Sequence, residues 1–280
     1  MTIVAIWYES ADGVLWSVAD TRISELAENQ SIIRSENAAK LLTLPISCTQ
    51  MFNETGFKLP HYSTTYGFAY AGAVTPALLT YCNSATLLQT LQCVSDKTPP
   101  SLKSIAEFVR SVMAAISKQY LNSTNGKFGE LDLAIFGWCP CDQEYQIFRL
   151  QNQLENSSFG VNLEKLAAPL GTEPFLLGSA KAKERFQHKL NEIAQGGDSF
   201  GRRTRLPKIA IEALIRENLL PGVGGDVSIA RVDRIGFTPM SRSAPVVLGQ
   251  PAAKLTFNGI EMGTEAAVVD NYIVAPQGLA

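Results

Sequence analysis

The residues with the clearest chemical potential lie in the first forty positions of the chain: Thr2, Asp20, Arg22 and Lys40. If Met1 is removed, Thr2 carries a hydroxyl nucleophile and a free α-amine on the same residue. Such an amine can accept the hydroxyl proton directly or through a water molecule. An unperturbed α-amine titrates near pH ~8, so part of it is neutral at pH 7. A nearby ammonium such as Lys40 would lower that pKa and leave more of the amine unprotonated.

These polar residues stand at the ends of apolar segments. The pattern predicts strands at 2–9 and 13–20, joined by an Asp-Gly hairpin turn. Asp20 ends the second strand and Lys40 opens the next apolar segment, so we expect their side chains to lie side by side. A second interpretation stays open, in which Asp20, Arg22 and Lys40 form a buried ion-pair cluster without catalysis.

The motifs together resemble those of the proteasome β-subunit family, which belongs to the N-terminal nucleophile hydrolases. That family includes the subunit of the ATP-dependent two-component bacterial peptidase, and this chain looks like a bacterial stand-alone homologue. The order and approximate spacing of the motifs match over roughly residues 2–238. The matching motifs are Thr2-Ile3-Val4, Asp12-Gly13, Asp20-Thr21-Arg22, Lys40, Tyr70-Ala71-Gly72-Ala73, Gly178-Ser179 and Gly224-Gly225-Asp226-Val227.

The resemblance implies roles for the first group of residues. Thr2 is the nucleophile that attacks an amide carbonyl. Asp20 holds the Lys40 ammonium near the Thr2 hydroxyl, where it lowers the pKa of the amine and stabilises the alkoxide. Arg22 fixes either Asp20 or a neighbouring loop. The implied activity is threonine-type hydrolysis of amide or peptide bonds.

Two residues further along the chain complete the implied site. Gly72 lies where a strand turns into a helix, and it matches the family's turn that supplies a backbone donor to the oxyanion. A glycine needed only for the turn is the alternative. Ser179 matches a serine that assists the terminal amine and a water network, and it is also well placed to cap a helix.

One departure from the family pattern affects the activation of the amine. The family places an aspartate and a serine just before the Gly-Gly pair, where they bind the terminal amine. By count, Leu220 and Val223 occupy those positions in this chain. Glu217 or Asn218 could substitute if the loop is longer.

Strands, two helices, strands, two helices and strands follow one another along the chain. This order predicts an α+β fold, and the family resemblance implies a four-layer αββα sandwich. We expect one hydrolase domain over 1–238 and a C-terminal extension over 239–280, with an irregular insertion over 45–65. The expected helices are 76–94, 102–121, 179–194 and 207–218, with Thr75 and Ser101 as the N-caps of the first two. We also expect a surface excursion over 23–37 and, in the extension, a hairpin over 254–262 and a strand over 266–274.

Composition excludes several classes of protein. The chain has 280 residues, 46% of them hydrophobic and 18% charged, with a net charge of −2, which is typical of a soluble globular protein. We expect no nucleic-acid or membrane partner, no signal peptide and a cytoplasmic location. The five cysteines show no zinc-type spacing, so we expect no metal and no cofactor.

Three functions therefore compete at the level of sequence. The first is a self-compartmentalising threonine peptidase that forms a ring or helical homo-oligomer of at least six subunits. Its partners would be a peptide or protein substrate and an ATP-dependent unfoldase. The second is a small-molecule amidase of the same nucleophile class. The third is a non-catalytic, proteasome-like assembly subunit, which the missing aspartate and serine favour.

Overall fold

The sheets and helices come from a computed structural model, which describes residues 2–27, 30–51, 58–93, 98–124, 129–155, 158–169, 173–196, 205–243, 255–262, 268–269, 272–273 and 277–279. In that part of the chain the strands are β1 Ile3–Glu9, β2 Val14–Asp20, β3 Ile23–Ala27, β4 Gln30–Ser35, β5 Leu41–Met51, β6 Lys58–Gly72, β7 Leu91–Cys93, β8 Leu131–Cys139, β9 Glu144–Glu155, β10 Ser158–Leu166, β11 Phe175–Gly178, β12 Val227–Val232, β13 Phe237–Ser243, β14 Leu255–Phe257, β15 Ile260–Glu261, β16 Val268–Val269, β17 Tyr272–Ile273 and β18 Gln277–Leu279. The helices are α1 Val74–Leu88, α2 Leu102–Ser123, α3 Ala180–Gln195 and α4 Leu206–Glu217. The fold is therefore α+β, as predicted.

The described residues divide into two compact units. The first comprises those within Met1–Leu41, Pro169–Arg231 and Thr238–Ala280, and the second those within Leu42–Ala168 and Val232–Phe237. Described residues of the predicted C-terminal extension thus lie in the first unit. In the described part of the chain, no helix is both long enough and apolar enough to cross a membrane.

The first unit is built on a mixed sheet with the strand order β11-β1-β2-β12-β13-β14-β15, and β18 pairs in parallel with β13. Helix α3 places Ala182, Phe186 and Leu190 in the core, one every four residues, which is the spacing of a single helix face. Strand β2 is buried along its whole length, so its last residue, Asp20, ends inside this unit.

The second unit contains a sheet with the order β10-β9-β8-β6-β5-β7 together with α1 and α2. The Ser101 hydroxyl accepts a hydrogen bond from the Ser104 amide at 3.1 Å, which confirms the predicted cap of α2. Helix α2 then buries Ile105, Val109 and Met113 on one face. Of the apolar face expected from Ile105, Phe108, Val109, Val112 and Ile116, the first and third residues are buried and the other three are half-buried.

The expectation of an irregular insertion over 45–65 is wrong for the residues that the structure describes. Strands β5 and β6 run through it, and only 52–57 lie outside the described residues. Leu44, Ile46 and Cys48 are buried in alternation, which is the two-residue period of a strand. Pro45 lies within β5, and the segment of β5 that pairs with β7 begins only at Cys48.

Helix α1 differs from its predicted bounds at both ends. It begins at Val74, with Ala73 as N-cap and no side-chain cap, although the sequence predicts Thr75 as the cap. It ends at Leu88, short of the predicted end near 94, because the chain then forms β7 and pairs in parallel with β5. A long-range strand pairing therefore overrides the local helical pattern.

Three further segments form hairpins, of which β14–β15 extends the sheet of the first unit. Residues 23–37, predicted to be a surface excursion, contain the β3–β4 hairpin, with an Arg34–Glu25 ion pair at 2.8 Å. The predicted hairpin over 254–262 is confirmed in its described part as β14–β15, and both turn residues, Asn258 and Gly259, have positive φ. The single strand predicted over 266–274 is wrong, since β16 and β17 pair with each other there; 266–267, 270–271 and 274 lie outside the described residues.

Two glycines make room for aromatic rings in the second unit. A Cβ added at Gly67 would come within 2.4 Å of Phe136 Cζ, and one at Gly137 within 2.5 Å of Tyr66 Cδ1. Phe136 is fully buried, so its ring has little space to move aside. Glycine at these positions is therefore required by packing between β6 and β8.

We expect Gly67→Ala to lower the free energy of unfolding by roughly 1–3 kcal/mol, because it overpacks the core against the Phe136 ring. Gly160→Ala is the matched control, since Gly160 lies on the exposed strand β10 and nothing lies within 4 Å of its added Cβ. Urea unfolding monitored by circular dichroism measures both. Superimposable curves for Gly67→Ala and the native protein would contradict the packing argument.

Candidate active site

The Asp20 carboxylate is the centre of the candidate site and is fully buried at the end of β2. Its Oδ1 accepts hydrogen bonds from the Ile3 amide at 3.0 Å and from Lys40 Nζ at 2.9 Å. Its Oδ2 accepts from the Gly224 amide at 3.2 Å. Two backbone amides and one ammonium therefore fix both carboxylate oxygens, and such charge-assisted bonds are the stronger kind.

Lys40 is buried with Asp20, and only 1% of its side chain is exposed. Its ammonium donates to the Arg22 carbonyl at 2.6 Å as well as to the carboxylate. Burial lowers the pKa of Lys40 below its ordinary value, and this desolvation outweighs the opposing effect of Asp20. The site therefore holds an ammonium that gives up its proton more readily than a surface lysine does.

Thr2 lies beside this pair and is itself buried. Because the Ile3 amide and the Lys40 ammonium share one oxygen of Asp20, the ammonium lies next to the peptide bond between Thr2 and Ile3. On the neighbouring strand, a Cβ added at Gly178 would come within 2.1 Å of the Thr2 carbonyl oxygen. The structure thus brings Thr2, Asp20 and Lys40 to one place, enclosed by β11.

Arg22 is largely buried and binds a loop. Its Nε pairs with Glu36 Oε2 at 3.0 Å, and its Nη1 donates to Asn218 Oδ1 at 3.1 Å. Nη1 also lies 3.3 Å from the Pro221 carbonyl and 3.4 Å from the Val223 carbonyl. Of the two roles that the sequence left open, these contacts favour fixing the loop.

The loop before Gly224 is apolar where the family pattern has polar residues. Leu220 and Val223 are buried in the core of the first unit, at 1% and 0% exposure. The Glu217 carboxylate pairs with Lys189 at 2.5 Å, and the Asn218 amide oxygen accepts from Arg22. Both expected substitutes for the missing aspartate and serine are thus engaged elsewhere.

Ser179 caps a helix directly after the residue that contacts Thr2. Its hydroxyl accepts a hydrogen bond from the Ala182 amide at 3.4 Å, so the predicted N-cap of α3 is confirmed. Gly178, which precedes it, pairs with Ile3 in the β1–β11 register and has a φ of 132°. Ser179 therefore directly follows Gly178, the residue that lies against the Thr2 backbone.

Gly72 ends β6 in the second unit. It has a φ of 98°, and an added Cβ would come within 1.9 Å of the Glu130 carbonyl oxygen. These two constraints by themselves require glycine at this turn. Its role as an oxyanion donor stays a prediction.

Thr21 is the supporting residue to which the sequence analysis assigned no role. It is fully buried, and its hydroxyl donates to the carbonyls of Glu36 and Asp226, the latter at 3.1 Å. The Asp226 amide donates back to the Thr21 hydroxyl at 2.7 Å. A threonine between two charged residues at a strand end resembles a surface residue, so no local signal marks its burial.

Comparisons with known proteins bear on the fold. No family model matches the chain, and no curated protein matches it. Similar solved structures include the Gly-1 mutant of Anbu from Hyphomicrobium sp. strain MC1, with 15% identity and a TM-score of 0.48 over 86% of this chain and 85% of that one. Anbu from Yersinia bercovieri, described as an ancestral beta-subunit, has 12% identity and a TM-score of 0.49 over 90% and 89%. The helical assembly of the Anbu complex from Pseudomonas aeruginosa has 13% identity and a TM-score of 0.50 over 90% and 88%.

At these identities the likeness is one of fold. The similarity to the Pseudomonas aeruginosa structure spans most of both chains. This chain therefore has a fold similar to that of the Anbu subunit in that structure.

Proposed function

We propose that this chain is a threonine-type N-terminal nucleophile hydrolase that cleaves amide or peptide bonds with Thr2. The observation that carries the proposal is the oxygen of Asp20 that binds both the Ile3 amide and the Lys40 ammonium. This contact holds a buried cation beside Thr2, which presents both a hydroxyl and a free α-amine once Met1 is removed. The resemblance of the motifs to the proteasome β-subunit family supports the same chemistry.

In the proposed reaction, removal of Met1 first frees the Thr2 amine. The Thr2 hydroxyl oxygen attacks the carbonyl carbon and passes its proton to the amine, while Lys40 stabilises the alkoxide. The tetrahedral intermediate collapses to an ester on Thr2, and the leaving nitrogen takes up the proton. Water then hydrolyses the ester and regenerates the hydroxyl. Asp20 keeps Lys40 in place throughout.

The remaining predicted site residues fit this scheme as supporting groups. Gly72 supplies a backbone donor to the oxyanion, and Ser179 assists the terminal amine. Arg22 holds the loop from Asn218 to Val223, whose end donates to Asp20 through the Gly224 amide. The roles of Gly72 and Ser179 rest on the family resemblance, and the role of Arg22 rests on the contacts described above.

A non-catalytic assembly subunit is the second candidate. The burial of Leu220 and Val223 favours it, because a proteasome-like site without polar groups at those positions has lost its usual support for the terminal amine. Under this alternative the Asp20–Lys40 pair serves only to specify the packing of the first unit. Covalent reactivity of Thr2 separates the two candidates.

We also propose that the chain works as a cytoplasmic homo-oligomer of four-layer αββα subunits, with an unfoldase as partner and unfolded chains as substrates. The solved Anbu structure with a TM-score of 0.50 is described as a helical assembly. Helix α1 supports self-association, since Leu78, Leu79 and Leu87 are 37%, 44% and 49% exposed. No charged residue occurs from 74 to 93, so this surface is suited to contact with another subunit.

We expect a β-lactone, which acylates hydroxyl nucleophiles, to add one equivalent to the purified protein. Peptide mapping should place the adduct on Thr2, and N-terminal sequencing should find Thr2 first. Thr2→Ser should keep the adduct because it keeps a hydroxyl, whereas Thr2→Ala should lose it. A protein with a free Thr2 that does not react would favour the assembly subunit.

The buried ion pair gives a second prediction. Lys40→Met leaves the Asp20 carboxylate buried without its cation, which should cost about 3–5 kcal/mol in the free energy of unfolding. The double variant Asp20→Asn with Lys40→Met removes both charges and should recover most of that stability. Both variants should lose at least ~100-fold in hydrolysis rate, since the activating cation is gone.

Lys165→Met is the control for this pair, because Lys165 and Glu144 form an ion pair in which both side chains are about half exposed. It should change the free energy of unfolding by less than ~1 kcal/mol. Chemical denaturation and a fluorogenic peptide assay measure the two effects. A double variant that hydrolyses substrate at the native rate would rule out Lys40 as the activating group.

We expect sedimentation velocity to show an assembly of at least six subunits. Leu79→Glu with Leu87→Glu should shift it to smaller species, because the double substitution buries two carboxylates in a subunit contact. Ile235→Glu is the control, since Ile235 is 87% exposed and lies outside α1. A stable monomer of the native protein at micromolar concentration would overturn the peptidase reading and favour a small-molecule amidase.

A further inference from the structure

The C-terminal hairpin, defined here as Leu255–Glu261, is bound to the residues that support the candidate site. Thr256 Oγ1 donates to Asp226 Oδ2 at 2.8 Å, and Arg242 Nη1 donates to Asp226 Oδ1 at 2.7 Å. Thr256 and Arg242 are paired residues in the β13–β14 register, so they present their side chains to Asp226 together. Both oxygens of the Asp226 carboxylate are thus held by residues from beyond position 238.

The backbone of Asp226 in turn holds Thr21. The Asp226 carbonyl accepts hydrogen bonds from the Thr21 hydroxyl and from the Thr21 amide, both at 3.1 Å, and the Asp226 amide donates to the hydroxyl at 2.7 Å. Thr21 directly follows Asp20, whose carboxylate binds Lys40 and the Ile3 amide. Thr21 therefore connects Asp226, which the C-terminal hairpin holds, to Asp20.

The tip of the hairpin, at Gly259, packs against Asn37 and Asp226. A Cβ added at Gly259 would come within 2.3 Å of Asn37 Oδ1 and within 3.3 Å of Asp226 Cβ. Asn37 follows Glu36, whose carbonyl accepts the Thr21 hydroxyl. The Gly225 backbone packs against the same group of residues, because an added Cβ would come within 2.3 Å of the Glu36 carbonyl oxygen and 2.5 Å of Thr21 Oγ1.

A cleft of about 550 Å³ opens beside these residues, lined in part by Arg22, Glu36, Asp226 and Arg242. Its charged side chains pair with one another, as Arg22 with Glu36 and Arg242 with Asp226, so the cleft itself indicates no ligand. The contacts across it instead form a continuous path from the hairpin to Thr21.

We infer that the C-terminal hairpin positions Asp20, with Thr256 and Asp226 as positioning residues that act through Thr21. The hairpin contacts Asp226 and the residue next to Glu36, and Asp226 and Glu36 are both partners of the Thr21 hydroxyl. Thr21 in turn fixes the orientation of Asp20 in the site. The positioning of Asp20 by the hairpin is a property of the fold. Only the effect of that positioning on hydrolysis rests on the proposed function.

The test compares Thr256→Val, which removes the hydroxyl at nearly constant volume, with Thr256→Ser, which keeps it. Thr238→Val is the matched control, because Thr238 lies on the neighbouring strand β13 and is half-buried. The readout is amide hydrogen exchange at Ile3 and Gly224, the two amides that donate to Asp20, in protein labelled with ¹⁵N-isoleucine and ¹⁵N-glycine. This readout does not depend on any activity.

We expect Thr256→Val to accelerate exchange at Ile3 and Gly224 on the order of tenfold, about the effect of losing one hydrogen bond to a carboxylate. Thr256→Ser and Thr238→Val should leave both rates near the native values, and exchange at Gly13, far along the β1–β2 hairpin, should not change in any variant. Unchanged exchange at Ile3 and Gly224 in Thr256→Val would overturn the inference, as would an equal acceleration at Gly13.

The activity measurement separates this inference from the proposed function. If the native protein hydrolyses peptides, Thr256→Val should lower kcat on the order of tenfold with KM unchanged, because a displaced catalytic group affects the chemical step, and Thr256→Ser should restore it. If the native protein is inactive but exchange responds as expected, positioning by the hairpin stands and the proposed function fails. An unchanged kcat together with accelerated exchange would overturn the link between the hairpin and catalysis.

Discussion

The burial of the Asp20 carboxylate against the Lys40 ammonium is the interaction on which the rest of the first unit depends. Taking either charge out of water alone would cost several kcal/mol, so each requires the other and a full set of hydrogen bonds. The Ile3 and Gly224 amides and the Arg22 carbonyl complete that set. Segments far apart in the chain must therefore meet at one carboxylate for the unit to pack.

This requirement explains the constraints on the surrounding backbone. Arg22 holds the carbonyls that precede Gly224, whose amide donates to Asp20. Arg22 also leaves no room for a side chain at 224, where an added Cβ would come within 2.2 Å of Arg22 Cζ. The apolar residues Leu220 and Val223 anchor the same loop in the core. This chain lacks the polar groups that the family pattern places in this loop to bind the terminal amine. Its loop is held by burial and by one arginine.

Much of the secondary structure, and the expectation that Asp20 lies beside Lys40, follow from the sequence. Apolar periodicity predicts the strands around Thr2 and Asp20, and local hydrogen bonding predicts the caps at Ser101 and Ser179. The Asn-Gly turn of the C-terminal hairpin is predicted for the same reason. Each of these features depends on contacts within a few residues of chain, and such contacts are determined by neighbouring side chains whatever the rest of the molecule does.

The tertiary structure decided the features that depend on distant segments. The hydrogen bond between Asp20 and Gly224 joins residues 204 positions apart, and the burial of Thr21 depends on Asp226 returning to the same place. Likewise, α1 ends early because β7 returns to pair in parallel with Cys48–Gln50. Sequence periodicity records which side of an element is apolar, whereas the identity of the partner that covers a polar group emerges only when the chain folds back on itself.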